Sequence, residues 1–416
     1  MGCTYSVHAV GSREKKKNIP EVSIFVPSMR VPGQCDVQRT LRRLIPTDLA
    51  DRISSLRNQI VLVAEDTGGS AIPELQRALE EYLPLLVGLT AKDHGLQELV
   101  EFKWRSLQDG RQEACVANSW FEVLSVLHMM AMLTLTEANS ILIPTNHAGS
   151  SERVVSAESM RDAVDLLLKA AGYLEFCVRE VLLHIPPDIK NRLPKDLQEN
   201  VLETSFIQAL GQGTEMQLSL AVGSQNATLS VKRRLACEQL SYFGQAHYCL
   251  SGYNNNNGHG KKHLLFIKWK YLEAKAAAYY FHGLILDKGT EPASHVSAVC
   301  CFLAADELLA ESKKACLSFC LAVPVTRAPP LQGAMKHLNR KIPETASRKS
   351  QMYGSLIDQD KGLQILPDLP EFQQSLKPDD YELPEIDSAW DSKKWEMPGL
   401  TLKEHLNDSE EEMIPE

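Results

Sequence analysis

Between Asp36 and Phe319 the apolar residues recur at steps of three and four, and that spacing predicts α-helix over almost the whole stretch. The clearest run covers residues 157–185, where Met160, Val164, Leu167, Ala171, Leu174, Val178, Val181 and Ile185 form one continuous seam. Pro186-Pro187 ends it, because proline has no amide hydrogen to continue the ladder. Residues 261–287 repeat the geometry with Leu265, Trp269, Leu272, Ala276, Tyr279, Gly283 and Leu286. A further helix is expected over 294–321, with Ser294 as N-cap and Lys313 and Lys314 toward its negative end. Trp120 to Leu135 is strongly apolar, but Glu122, Ser125 and His128 interrupt it, so it reads as a buried core helix rather than a membrane span. Loops from Ile143 to Ser151 and from Asn254 to Gly260 join consecutive long helices, the arrangement of stacked antiparallel pairs.

The pattern changes at both ends. Glu21 to Val26 is a short β-rich run closed by Pro27, so a strand or two is expected near the start. Prolines from Pro324 to Pro398 predict a largely extended segment over 323–405. That segment still carries Leu366, Leu369, Phe372, Trp390 and Trp395, so it is expected to wrap the helical body. Residues 406–416 are acidic and read as a disordered tail. No repeat of the tetratricopeptide type is visible, although the architecture is solenoid-like.

One helix departs from the single-seam rule. Over residues 225–252, Leu229, Ala236, Leu240, Phe243, His247 and Leu250 form the core seam. At about 100° per residue, Val231, Leu235 and Tyr242 fall on roughly the opposite side, flanked by Lys232 and Arg234. Two readings stay open. The second stripe receives an amphipathic helix with acidic flanks, or the helix is sandwiched with both faces buried.

Composition narrows the function. The chain has 416 residues, a net charge of -9 and a pI of about 5.8, which argues against a nucleic-acid partner. Its ten cysteines lack C-x-x-C spacing, and Cys316 and Cys320, one turn apart, read as small buried hydrophobes. No Walker loop, H-E-x-x-H or G-x-S-x-G motif occurs. Gly211-Gln212-Gly213 is a lone G-x-G in a helical context, and His247, near Cys249 and Cys237, lies on a seam as a core histidine. Lys261, Lys262, Lys268 and Lys270 surround Phe266 and Trp269, but helical spacing buries Trp269. We therefore expect no catalytic residue, no metal, no cofactor and no small-molecule substrate.

The chain opens Met1-Gly2-Cys3-Thr4-Tyr5-Ser6, which fits N-myristoylation of Gly2, with Cys3 available for palmitoylation. Two acyl chains turn reversible binding into anchoring. Arg13 and Lys15-Lys16-Lys17 add a basic cluster, interrupted by Glu14. The expectation is a protein on the cytoplasmic face of an endosomal or plasma membrane, with a cytosolic pool.

Several segments in order resemble the Bro-one domain family, the Alix and BROX type. Ala170-Ala171-Gly172-Tyr173-Leu174-Glu175 is similar to the family's Ala-Ala-Gly helix, and Leu210-Gly211-Gln212-Gly213-Thr214-Glu215-Met216 to its Leu-Ala-Gln-Ala-Gln-Glu signature. Tyr242-Phe243-Gly244-Gln245-Ala246 resembles a Tyr-Phe-Gly-x-Ala element, and Lys275-Ala276-Ala277-Ala278-Tyr279-Tyr280 the following helix. The resemblance, closest in layout to single-domain BROX-like proteins, implies a mainly α fold. That fold is a boomerang-shaped solenoid of long antiparallel helices with a tetratricopeptide-like core, a small N-terminal β element and an extended Pro-rich wrap. The expected units are a lipidated leader over 1–20, a Bro-one-like domain over 21–405 and the tail over 406–416. The resemblance also implies a non-enzymatic adaptor in endosomal sorting or membrane remodelling, binding the C-terminal amphipathic helix of an ESCRT-III subunit of the Snf-seven class. The family register places the apolar contact positions at Leu218, Val231 and Leu235, with Leu218 where an aromatic is usual. The alternative is a helical scaffold for a different membrane-associated partner, using the basic stretch Lys336-His337-Leu338-Asn339-Arg340-Lys341 or the tail.

Overall fold

The computed structural model describes residues 19–107, 113–143, 155–251, 258–331, 333–359 and 365–391. Gly2 and Cys3, most of the two expected interhelical loops, Trp395 and the acidic tail lie outside the described residues.

The chain opens with strand β1 (Arg30–Pro32) and helices α1 (Val37–Leu41), α2 (Thr47–Thr67) and α3 (Ile72–Thr90). A hairpin, β2 (Glu101–Ser106) and β3 (Glu113–Ala117), completes an antiparallel sheet of order β1-β2-β3, with Arg30 opposite Ser106 and Glu101 opposite Ala117. The strands are thus not where the β-rich run suggested. Glu21 forms only an isolated bridge with Arg327, and β1 begins beyond Pro27. The hairpin interrupts the stretch expected to be helical. Its Phe102 and Trp104 are buried between exposed or half-buried Glu101, Lys103 and Arg105, the period-two pattern of a one-sided sheet.

Helices α4 (Ser119–Ile141) and α5 (Ala157–Phe176) follow; α4 is the buried core helix expected. Its buried acid, Glu122, accepts from Arg57 Nε at 2.8 Å, Trp104 Nε1 at 2.5 Å and Tyr82 Oη at 3.2 Å. Arg57 also donates to the carbonyls of Gly33 and Lys103, so this buried network ties α2, α3, α4 and the sheet together. The seam helix starts at its N-cap Ser156 and passes through a π turn (Cys177–Val181) into α6 (Leu182–His184) before the two prolines stop it. Short α7 (Pro187–Lys190) leads to α8 (Glu199–Gly223), α9 (Leu229–Ser251), α10 (Gly258–Leu286) and α11 (Pro292–Leu321). From α2 onward each long helix packs on its predecessor in the series α2, α3, α4, α5, α8, α9, α10, α11. Helix α11 begins at Pro292 rather than after Ser294, since proline's preset φ and missing amide suit a first turn.

The C-terminal region differs most from expectation. Residues 333–359 are helical as α12 (Gly333–Met352) and α13 (Gly354–Gln359), while among the described residues 323–331 stay non-helical and 365–387 run extended up to a final turn at Ser388–Trp390. Ala334, Leu338, Ile342 and Ala346, each four residues on, bury one stripe of α12. That burial outweighs Pro343 inside the helix, which costs about 3 kcal/mol. The extended part is a strap over the helices. Its Asp379 amide donates to the Leu168 carbonyl, and an added Cβ at Gly172 would overlap the Asp379 carbonyl.

Candidate partner-binding site

Helix α9 carries the anomalous stripe, and its two halves differ. From Ala236 to Phe243 it is buried nearly all round, as in the sandwiched reading. Its first two turns are open. Val231 is 45% exposed, Arg234 is exposed, and Lys232 and Leu235 are half-buried. Thr228 starts the helix, its Oγ1 accepting from the Val231 amide at 3.3 Å.

The strap explains the change. Val231, Leu235, Glu238 and Tyr242 share one side of the helix by their spacing. At Glu238 that side meets Ser375, whose amide and hydroxyl donate to Glu238 Oε2 at 3.2 and 2.6 Å. Arg234 Nε donates to the other carboxylate oxygen at 2.7 Å. One turn on, Tyr242 Oη donates to the Leu376 carbonyl at 2.7 Å, and burial pushes that phenol up to about 12. The half-buried Phe372 lies under the Arg233 guanidinium, 5.8 Å from the ring centroid. The strap therefore covers the C-terminal half of the stripe and leaves its N-terminal half free.

Of the six expected contact residues, Val231, Lys232, Arg234 and Leu235 stand together on this open end. Leu218 and Tyr242, expected as contact positions too, are instead buried away from it. Tyr242 is 1% exposed beneath the strap. Leu218 is 2% exposed, buried in the same cluster as Ala334 and Leu338 of α12, and the neighbouring Ser219 Oγ accepts from the Ala334 amide at 3.1 Å. An aliphatic residue suits that intramolecular contact. Gly211 and Gly213, expected to be loose helical positions, are close-approach sites. An added Cβ would meet Tyr242 and Phe243 at 3.2 Å from Gly211, and Leu376 at 3.0 Å from Gly213.

The basic stretch 336–341, the alternative contact surface, falls within the segment expected to be extended. It lies on α12, and His337 there is held below its ordinary pKa by burial and by Lys341, Arg340 and Lys232. Lys232 of α9 and the cations of α12 thus act on the same ring and share one positive field, although Lys341 also pairs with Glu344 at 3.1 Å. Arg233, which reaches His282 Nδ1 at 3.3 Å, was missed because its angular position points away from the stripe.

A half-open cavity of about 230 Å³ lies between α8, α10 and the 328–339 segment, and its floor holds Lys270 between Glu215 and Glu273. Burial opposes the Lys270 charge, but the two carboxylates outweigh it and raise its pKa; burial also raises that of Glu273. Burial pushes the nearby Cys316 thiol up to about 12, so it stays protonated. These groups bind each other. His247 is half-buried, donating or accepting with Ser251 Oγ at 3.2 Å and stacked near Tyr271. Among the described residues no group of three His, Cys, Asp or Glu side chains is placed to hold a metal.

Comparison with known proteins agrees with this architecture. The BRO1-like domain family matches residues 46–351. The BRO1 domain-containing protein BROX homolog of Caenorhabditis elegans is 24% identical over 264 residues, 58% of this chain and 57% of the relative. The matched region thus spans little more than half of that relative's length. ALIX in complex with the SIVmac239 PYKEVTEDL late domain superposes with a TM-score of 0.59 at 14% identity, over 88% of this chain and 50% of that one. The ALIX BRO1 domain in complex with CHMP4C gives 0.59 at 14% identity, covering 88% and 99% of the two chains. A Bro1 domain described for endosomal targeting gives 0.56 at 14%, covering 89% and 95%. At that identity the likeness establishes the curved helical fold.

Proposed function

The chain belongs to the BRO1-like domain family, and from that premise we propose that it is a non-enzymatic adaptor capturing the C-terminal amphipathic helix of an ESCRT-III subunit. The observation that carries this reading is the open end of the α9 stripe. Val231 and Leu235 project one turn apart, edged by Lys232 and Arg234 and backed by the cations of α12. Such a surface suits a helix with aliphatic anchors at i and i+4 and acidic flanks. The ALIX BRO1 domain, which shares the fold, forms a complex with CHMP4C. The proposal includes acylation at Gly2 and Cys3, placing the adaptor on the cytoplasmic face of an endosomal or plasma membrane.

The test is binding of ESCRT-III tail peptides to wild type and to Val231→Asp and Leu235→Asp. Both residues are accessible, so helicity should be kept while affinity falls at least tenfold. Unchanged affinity in both variants would remove the stripe as the site. In cells, Gly2→Ala should leave the membrane fraction yet bind the peptide normally. Capture of a different protein by the same stripe, with no ESCRT-III tail bound, would favour the scaffold reading.

A further inference from the structure

A second exposed apolar surface lies far along the chain from Val231. At the end of α11, Leu317 and Leu321 are exposed one turn apart, and the loop that follows exposes Val323, to 71%, and Val325. Single exposed leucines are ordinary; four aliphatic side chains within nine residues are not. The loop is also held in shape. The buried Lys262 ammonium donates to the carbonyls of Ala322, at 3.0 Å, and Pro324, and to Thr326 Oγ1 at 2.8 Å. It lies 4.6 Å from the Phe319 ring centroid, and the Thr326 amide returns to the Cys320 carbonyl at 3.1 Å. A cation buried under a loop, with its donors given to that loop, fixes which side chains face out.

Charge favours one occupant, and chain path is compatible with it. From Ser312 to Pro343 the sequence has no acidic residue, and it carries Lys313 and Lys314 just before the patch. Lys261, next to the pinning lysine, is exposed as well. The N-terminal segment enters the fold at the same place. The Arg327 amide donates to the Pro20 carbonyl and its carbonyl accepts from Val22, both at 3.0 Å, while its guanidinium pairs with Glu21 at 2.7 Å. Val325 is two residues from Arg327, roughly 7 Å in extended chain. Gly2 lies eighteen residues before Pro20, so an acyl group there reaches at most about 65 Å. Such a tether limits distance without choosing which face turns to the bilayer. Among its described residues the patch has aliphatic tips and lysines, and none is an exposed aromatic anchor of the kind that dominates protein interfaces.

We propose that Leu317, Leu321, Val323 and Val325, with Lys261, Lys313 and Lys314 around them, form a membrane-contact surface that docks on an anionic lipid bilayer. It deepens the membrane part of the reading above and does not depend on acylation. Contact at the point of chain entry orients the domain, and tether and patch reinforce each other through effective concentration.

The test is co-sedimentation of the full chain, made without an acyl group, with vesicles of phosphatidylcholine and with vesicles also containing phosphatidylserine. Wild type should partition onto the phosphatidylserine vesicles and lose binding as salt rises. Val323→Ser/Val325→Ser and Lys313→Ala/Lys314→Ala should each weaken partitioning about tenfold or more. These side chains are exposed, so circular dichroism, thermal midpoint and tail-peptide affinity should not change. No partitioning of wild type at about 1 mM accessible lipid, or equal partitioning by the variants, overturns the proposal. A wild-type dimer in solution that the valine variants abolish, without vesicle binding, assigns the face to a second copy instead. Loss of peptide binding by Leu235→Asp with vesicle binding intact keeps the two surfaces separate.

Discussion

The strap's last residue before the final turn ends supplies a sharp test of how the fold is closed. Trp390 is buried against Gly88 of α3, its Nε1 donating to the Leu85 carbonyl at 3.0 Å and its ring stacked 4.9 Å from His94. Trp390→Ala loses an aromatic side chain and a hydrogen bond, a cost of about 3–5 kcal/mol. Gly88→Ala adds a single methyl on a helix, which elsewhere stabilises by about 1 kcal/mol. Here that methyl would overlap the indole ring, so the ring must leave and Gly88→Ala should destabilise by about 2–4 kcal/mol, the Trp390 cost less the helix gain. Once Trp390 is alanine the clash is gone, and the same Gly88→Ala change should stabilise by up to about 1 kcal/mol. The sign reversal is the prediction. Hydrogen exchange is the assay, because it reads opening of the strap separately from unfolding of the helices. The amides of Asp379 and Asp387, which donate to the Leu168 and Pro84 carbonyls, report docking directly. Equal destabilisation by Gly88→Ala in both backgrounds would refute the lock between these residues.

Two further outcomes follow from buried charge. Glu122→Leu leaves the Arg57 guanidinium buried and unpaired, so unfolding in denaturant should show a loss of about 3–5 kcal/mol, whereas Arg105→Ala, whose pair with Glu65 is exposed, should cost less than about 1 kcal/mol. Burial lowers the pKa of His128 to about 4 and that of His263 to about 3, so both rings are neutral in the folded protein. Below pH about 6.5 the unfolded chain binds protons that the folded chain refuses. Each ring thus contributes stability that is complete above that pH and lost as pH falls toward the folded value, at about 1.4 kcal/mol per pH unit. Denaturation midpoints between pH 7 and 5 should fall, and His128→Leu should flatten the slope by about one proton's worth; an unaltered slope would mean that ring is protonated in both states or neither.

Much of this architecture was legible because a helix seam is a local signal. Met160 through Ile185 shows one periodicity that no distant contact needs to complete, and α5 with its π turn follows it. Glu122 was read correctly as an interruption of a buried helix, but its partners Arg57, Tyr82 and Trp104 come from three other elements and left no trace in spacing. The hairpin was missed although Phe102 and Trp104 alternate with Lys103 and Arg105, because the run is only six residues long within a helical context. Helix α12 was missed because prolines were weighed above the four-residue recurrence of Ala334, Leu338, Ile342 and Ala346. At the candidate site, angular position put Val231 and Leu235 on one side of α9, where the structure leaves one exposed and the other half-buried. It could not tell an open stripe from a covered one, since what covers Tyr242 lies 134 residues away in sequence.

That division of the α9 stripe constrains the kind of binding the site supports. Val231 and Leu235 together offer a fraction of two aliphatic side chains, because Leu235 is already half-buried. Full burial of both yields no more than about 3–6 kcal/mol, while association costs about 4 kcal/mol or more. The apolar contact alone therefore does not hold a tail helix, and the cations of α9 and α12 must supply the balance, largely as faster encounter. Binding should then be weak, salt-sensitive and quickly reversed for a single peptide. Under the proposed function weakness is compatible with capture wherever the target presents many tails to a membrane-held adaptor, because both raise the local concentration. Tethering wild type and Leu235→Asp to vesicles should therefore enlarge the difference between them when the target is a polymer and leave it unchanged when the target is one free peptide. An equal difference in both formats would mean that membrane tethering and the multiplicity of tails do no part of the holding.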